Sequence, residues 1–138
     1  RADFGSARMA TAKLVSVTAP GAIFAKAKLR AADFTGANLA NANLRSANGP
    51  AAIFAGANLT GANLARAKLA GAQFENAILA GANFLNADLW KANLASANIA
   101  GADFSSAHLR VAKLPVDVKI AKFCHAVMPD GATNTTDC

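Results

Sequence analysis

Residues 37–46 read Ala37-Asn38-Leu39-Ala40-Asn41-Ala42-Asn43-Leu44-Arg45-Ser46, and residues 57–66 read Ala57-Asn58-Leu59-Thr60-Gly61-Ala62-Asn63-Leu64-Ala65-Arg66. Alanine recurs at every fifth position and an apolar centre follows two places later. Read outward, this register runs from Ala2 to Ala112, with Val17 the only residue that replaces alanine. The centres include Phe4, Met9, Leu14, Phe24, Leu29 and Leu114. A five-residue step turns an α-helix by about 500°, about 140° out of alignment, so a helix would smear the alanines around its axis. In a flat strand an odd step sends successive leucines to opposite faces, one of them wet. A chain that turns a corner at every pentad restores the inward direction each time. The pattern therefore predicts a solenoid whose coils bury their apolar sides on one another.

Phenylalanine sets the number of sides. Seven of the eight are pentad centres, namely Phe4, Phe24, Phe34, Phe54, Phe74, Phe84 and Phe104. All stand at positions ending in 4 and none at the alternate centres ending in 9, an alternation that an even-sided coil allows. Four sides predict ring stacks at Phe4/Phe24, Phe34/Phe54/Phe74 and Phe84/Phe104. The core is then a narrow column of alanine, leucine and phenylalanine, without the few hundred Å³ that an enclosed small-molecule site requires.

The units Ala37-Asn-Leu-Ala-Asn, Ala42-Asn-Leu-Arg-Ser, Ala57-Asn-Leu-Thr-Gly and Ala62-Asn-Leu-Ala-Arg resemble the A-(D/N)-L-x-x unit of pentapeptide repeat proteins. The resemblance spans residues 2–114 in one register. It implies an all-β, right-handed quadrilateral β-helix with four pentads per coil and a short C-terminal cap. The expected organisation is a β-helix over 1–115, with 116–138 a continuation and capping tail of the same domain. Two coils depart from the pattern, at Val17-Thr-Ala19-Pro20-Gly and Ala47-Asn-Gly49-Pro50-Ala, where small residues replace the centres. Each is followed by Ala-Ile-Phe-Ala, as though a block of 30 residues had duplicated. Proline lacks a ladder donor, so these sites read as bulged corners, or alternatively as a binding notch.

Beyond Leu114-Pro115 a one-residue shift recovers the period at Val116-Asp-Val118, Ala121-Lys-Phe123 and Ala126-Val-Met128. One deletion at Pro115 followed by up to three pentads is one reading; a short amphipathic helix over 117–127 is the other. Pro129-Asp130-Gly131 is a strong turn sequence that folds Cys138 back toward Cys124. A Cys124–Cys138 disulfide would lock a cap over the open edge of the last coil; two unpaired thiols are the alternative. This ending also resembles cyanobacterial and thylakoid-lumen members of the family. A disulfide would favour an exported address, periplasm or thylakoid lumen, over the cytoplasm. Arg1 falls in mid-pentad without a preceding methionine, so a trimmed N-terminus is expected. Asn58-Leu-Thr60 and Asn134-Thr-Thr136 match a glycosylation pattern that short sequences often produce by accident.

The formal charge of +6 is not spread evenly over four sides. Arg8, Lys26, Lys28, Arg30, Arg66, Lys68 and Arg110 fall on one side with Asp88 as its only acid, so that side alone nets +6. Trp90, the only tryptophan, and His108 share it, and Arg110 is expected within cation–π range of Trp90. Tryptophan and arginine are common interface anchors, so the face reads as a dock for an anionic partner, or else as a solvated surface that keeps the rod soluble. A protein is the favoured partner. Nucleic acid or anionic membrane is the alternative, against which stands the lack of interleaved aromatics. Family members that mimic DNA and modulate type II topoisomerases suggest a further role, but mimicry needs an acidic surface. The side with Asn38 and Asn58 is uncharged and can support self-association of an otherwise monomeric chain. Its stacked amides, like those of Asn43, Asn63 and Asn83, are expected to hydrogen-bond along the rod.

Catalytic signatures are missing. His108 and His125 fit no metal-ligand spacing, the carboxylates Asp3, Asp33, Asp88 and Asp103 are dispersed, and no phosphate loop or serine elbow occurs. The sequence therefore predicts no enzyme, cofactor or metal. It predicts a structural or protein-interaction module.

Overall fold

The computed structural model describes residues 2–118, 120–136 and 138. Its backbone forms parallel bridges at a fixed step of 20 residues, as in Asp3↔Ile23, Arg8↔Lys28, Lys13↔Asp33 and Thr18↔Asn38. Four such ladders run side by side, so one coil contains four pentads. In each pentad the centre donates its N–H one rung onward, as Phe34 does to Ile53 O at 2.7 Å. The preceding residue donates one rung back, as Asp33 does to Ala12 O at 2.9 Å. The alanine that opens the next pentad closes a turn onto the centre, with Ala37 N–H on Phe34 O at 3.0 Å.

The corners explain the rest of the repeat. The second residue after the centre has positive φ at every corner from Ser6 to Val111 except Ser96, the signature of a type II turn. Glycine fills seven of these corners, among them Gly21, Gly61 and Gly81, all at φ +64. The first residue after the centre has an N–H that the ladders leave unused. Where Asn or Asp precedes the centre, its Oδ1 accepts that N–H, as in Asn63 to Ala65 (3.0 Å), Asn83 to Leu85 (2.9 Å) and Asp103 to Ser105 (2.9 Å). This local Asx bond accounts for the D/N of the repeat unit.

Two expectations are corrected by this geometry. No hydrogen bond joins one stacked amide to another among the described residues, because each Oδ1 is turned onto the backbone two residues ahead. Pro20 and Pro50 form no bulge either. They occupy the one corner position that needs no N–H, and the bridges Thr18↔Asn38 and Asn48↔Lys68 pass through them in register. Nor does Gly49 leave a gap. A Cβ there would lie 3.4 Å from Leu29 Cβ and 3.5 Å from Leu69 Cδ2.

Inward, the alanines and centres from Ala22 to Leu109 are buried, while Phe4, Met9 and Leu14 of the first coil are only partly covered. The expected phenylalanine stacks are present, with centroids 4.7–5.1 Å apart. They are joined edge-on by Phe24–Phe34 at 5.5 Å and Phe74–Phe84 at 5.8 Å. Phe123 adds an eighth ring, stacked on Phe104 at 5.1 Å. All eight therefore form one chain that crosses the core twice.

At Pro115 the step shortens to 19 residues, giving Asp103↔Lys122 and His108↔Val127. Residues 121–127 thus extend the ladders instead of forming a helix, and the described residues contain none. Ahead of them Ala121 N–H keeps a corner bond to Val118 O at 3.2 Å and Ile120 O accepts Gly101 N–H at 2.6 Å, while Val116, Val118 and Ile120 take part in no bridge among the described residues and Val116 is fully exposed. The tail then reverses: Gly131 N–H donates to Met128 O, Ala132 O accepts from Met128, and Thr133 pairs antiparallel with Val127. Asn134 both donates to Ala126 O and accepts from His125 N–H, each at 2.9 Å. Cys124 and Cys138 are disulfide-bonded across a separation of 14 residues; closing a loop of this size stabilises by about 3 kcal/mol on the chain-entropy account. The tail thus covers the edge of the last coil from His125 to Met128.

Candidate docking face

Ladder register places Arg8, Lys28, Asn48, Lys68, Asp88 and His108 in one column, each bridged to the next. Neighbouring rungs are about 4.8 Å apart. Lys26 and Arg66 stand at corners beside this column, with φ of 59° and 60°. The other flank carries Arg30, Pro50, Ala70, Trp90 and Arg110 in that order, one per coil. The seven basic residues expected together therefore share one side.

Their surroundings are not uniform. Asp88 is engaged at the far end, where its Oδ1 lies 3.3 Å from His108 Nδ1 and accepts Trp90 N–H at 3.2 Å. Among the described residues, Arg8, Lys26, Lys28, Arg30, Arg66 and Lys68 form no ion pair. The ion pair Lys13–Asp33, at 3.1 Å, lies on the adjacent side. There the Thr35 hydroxyl, the Thr35 N–H and then Lys13 hold the Asp33 carboxyl below its ordinary range.

Two surface recesses divide the cationic end. One, of about 360 Å³, is lined by Lys26, Asn43, Arg45, Ser46 and Arg66, so three cations converge on it without an acid. The other, about 670 Å³, is lined chiefly by Lys28, Arg30, Asn48, Pro50 and Ala70. Small residues at 50 and 70 make the dip between the arginine at 30 and the tryptophan at 90. Trp90 is 40% exposed. The cation over its ring is Lys91, with Nζ 4.2 Å from the centroid, not Arg110. Arg110 lies beside the cap instead, its Nε 3.9 Å from where a Gly131 Cβ would sit.

Arg45 was missing from the sequence-derived face. Assigning residues to flat sides puts it on the neighbouring side, but a residue next to a corner can reach round it. The signal available was its position, one residue before Ser46 and between the Lys26 and Arg66 rungs. The cap cysteines, also expected together, are at the end of the rod and bring His125 with them.

A rod of stacked five-residue rungs with an apolar column inside is a β-solenoid repeat protein. Pentapeptide repeats match residues 22–48, 51–81 and 79–110, and the chain belongs to the pentapeptide repeat family. A pentapeptide repeat protein of the Arabidopsis thaliana thylakoid lumen is 29% identical, with a TM-score of 0.63 over 89% of this chain and 86% of that one. HetL, involved in heterocyst differentiation regulation in the cyanobacterium Nostoc sp., is 32% identical over 97% of this chain and 67% of its own, with a TM-score of 0.47. QnrB1, a plasmid-mediated fluoroquinolone resistance protein, shares the fold at 17% identity, a TM-score of 0.52, and coverage of 90% and 76%. Comparison with curated protein sequences finds no significant match.

Proposed function

We propose that this chain is a non-catalytic docking module that binds an acidic protein segment across its basic face. The observation that carries this reading is the set of six cations from Arg8 to Lys68 without acidic partners, flanked by a half-exposed tryptophan. Such charges are hydrated and screened when free, and gain most when a partner supplies carboxylates and excludes water. Trp90 supplies apolar anchorage next to them. We take residues 1–138 as one right-handed solenoid domain, 116–138 serving as its cap. The disulfide, together with the likeness to a thylakoid-lumen protein, supports residence in an oxidising compartment.

Polyglutamate is a suitable probe, because Trp90 is the single tryptophan and reports occupancy by fluorescence. Binding is expected to weaken as salt rises. It should fall by about tenfold or more when Lys26, Lys28 and Arg30 are replaced by glutamate, at about 0.5–1 kcal/mol for each charge. Equal binding by the parent and the charge-reversed chain would overturn the reading. Tighter, steeply salt-dependent binding of duplex DNA would replace it with the nucleic-acid one.

A further inference from the structure

The cap holds a second chemically distinct cluster. Cys124, His125 and Cys138 place their donor atoms within 4.8 Å of one another. His125 is a corner residue with φ 55°, fixed through its N–H on Asn134 O at 2.9 Å, and is exposed beside the disulfide. We propose that, once its disulfide is reduced, the cap is a binding site for one soft or borderline divalent ion such as zinc, held by Cys124, Cys138 and His125.

Two thiolates and one imidazole are a normal zinc donor set, leaving a fourth position for water or an outside ligand. Tetrahedral bonds of about 2.3 Å to sulfur and about 2.0 Å to nitrogen require donor separations of about 3.5–3.8 Å. The donors, now within 4.8 Å of one another with the two sulfurs bonded, reach that spacing once the S–S bond opens and the exposed His125 and Cys138 side chains adjust by about 1 Å. The chemistry balances with a dithiol reductant. Two electrons and two protons pass to the cap sulfurs as the S–S bond breaks, and the reductant closes to its own disulfide. Zinc then displaces one proton from each thiol and takes the neutral imidazole nitrogen. The same two residues thus clasp the tail in either redox state, by a covalent bond or through a metal. This site is independent of the docking face.

The test uses the full chain, reduced with a non-chelating phosphine that is then removed, titrated with cobalt(II) and back-titrated with zinc. The expected result is one cobalt per chain, tetrahedral visible bands with a thiolate charge-transfer band, and release of about two protons per ion at neutral pH. The disulfide form and Cys138→Ser should lose that spectrum. His125→Ala should bind at least about tenfold more weakly with shifted visible bands. Circular dichroism of each variant checks that the coils persist, since the ladders up to Asp88↔His108 do not involve the cap. Failure of the reduced parent to bind cobalt, or a His125→Ala titration and spectrum identical to the parent's, overturns the proposal.

Discussion

Replacing Ala80 by proline should stabilise this protein, although the residue lies within a continuous β-ladder. Proline in a central strand normally removes a ladder bond. Here the N–H of the first residue after each centre is outside the ladders, and Ile78, two residues before Ala80, has no side-chain acceptor to offer. The Ala80 N–H accordingly meets no acceptor among the described residues, while Ala80 O still accepts from Gly61 N–H at 2.9 Å. Gly81 follows with φ +64, so the variant would carry Pro-Gly at the central positions of a type II turn, the preferred pair. Pro20-Gly21 already occupies the equivalent corner on the same side. The gain comes from the restricted unfolded chain and amounts to about 0.4–1 kcal/mol, or about 1–4 °C in Tm for a chain of this size. Ala82→Pro is the control. That residue is fully buried and its N–H donates to Leu79 O at 2.9 Å, so the loss should be about 3 kcal/mol or more. Thermal and urea unfolding followed by circular dichroism measure both. A destabilisation of Ala80→Pro by more than about 1 kcal/mol, or equal effects of the two substitutions, would refute this account of the corner.

Phe54→Ala should cost about 3–5 kcal/mol, since Phe54 is fully buried and stacked at 5.1 Å on both Phe34 and Phe74; Phe54→Leu should retain most of that in the same urea titration. Asn63→Ala should lose about 0.5–1.5 kcal/mol through the orphaned Ala65 N–H, and the loss should shrink in an Ala65→Pro background, which a double-mutant cycle reads directly. Acid should weaken the Asp33 corner. Its carboxyl titrates below its ordinary 3.8 in the folded chain, so its stabilisation is complete above that value and vanishes as pH falls through the lowered one. Tm measured from pH 6 to pH 2 should therefore fall less for Asp33→Asn than for the parent, apart from a constant offset.

Much of this architecture was legible because a five-residue period admits few ways to keep leucine inside. The restriction of phenylalanine to positions ending in 4 required an even number of sides, the family resemblance made it four, and the ring stacks followed. What escaped was decided by choices that periodicity does not fix. Asn43 or Asn63 can bond along the rod or to its own corner, and only the unused N–H two residues ahead selects the second. Pro50 reads as an interruption until one sees that its position donates nothing. Lys91 rather than Arg110 covers Trp90, with Arg110 beside Gly131 of the cap, a choice between neighbouring side chains that the period does not make. The basic face was legible as a set of residues, but Arg45 was lost by treating corners as edges that side chains do not cross.

The fixed rung spacing also makes the rod a ruler for whatever lies along it. Lys26 and Arg66, like Lys28 and Lys68, are two rungs apart, about 9.6 Å. An extended β-strand repeats its same-side groups about every 6.7 Å and falls out of step at once. A polyproline II segment repeats every third residue, about 9.3 Å, and stays in phase over several turns. An acidic chain with a carboxylate at every third position would thus meet both pairs of cations without bending, whereas the same charges at every second position would not.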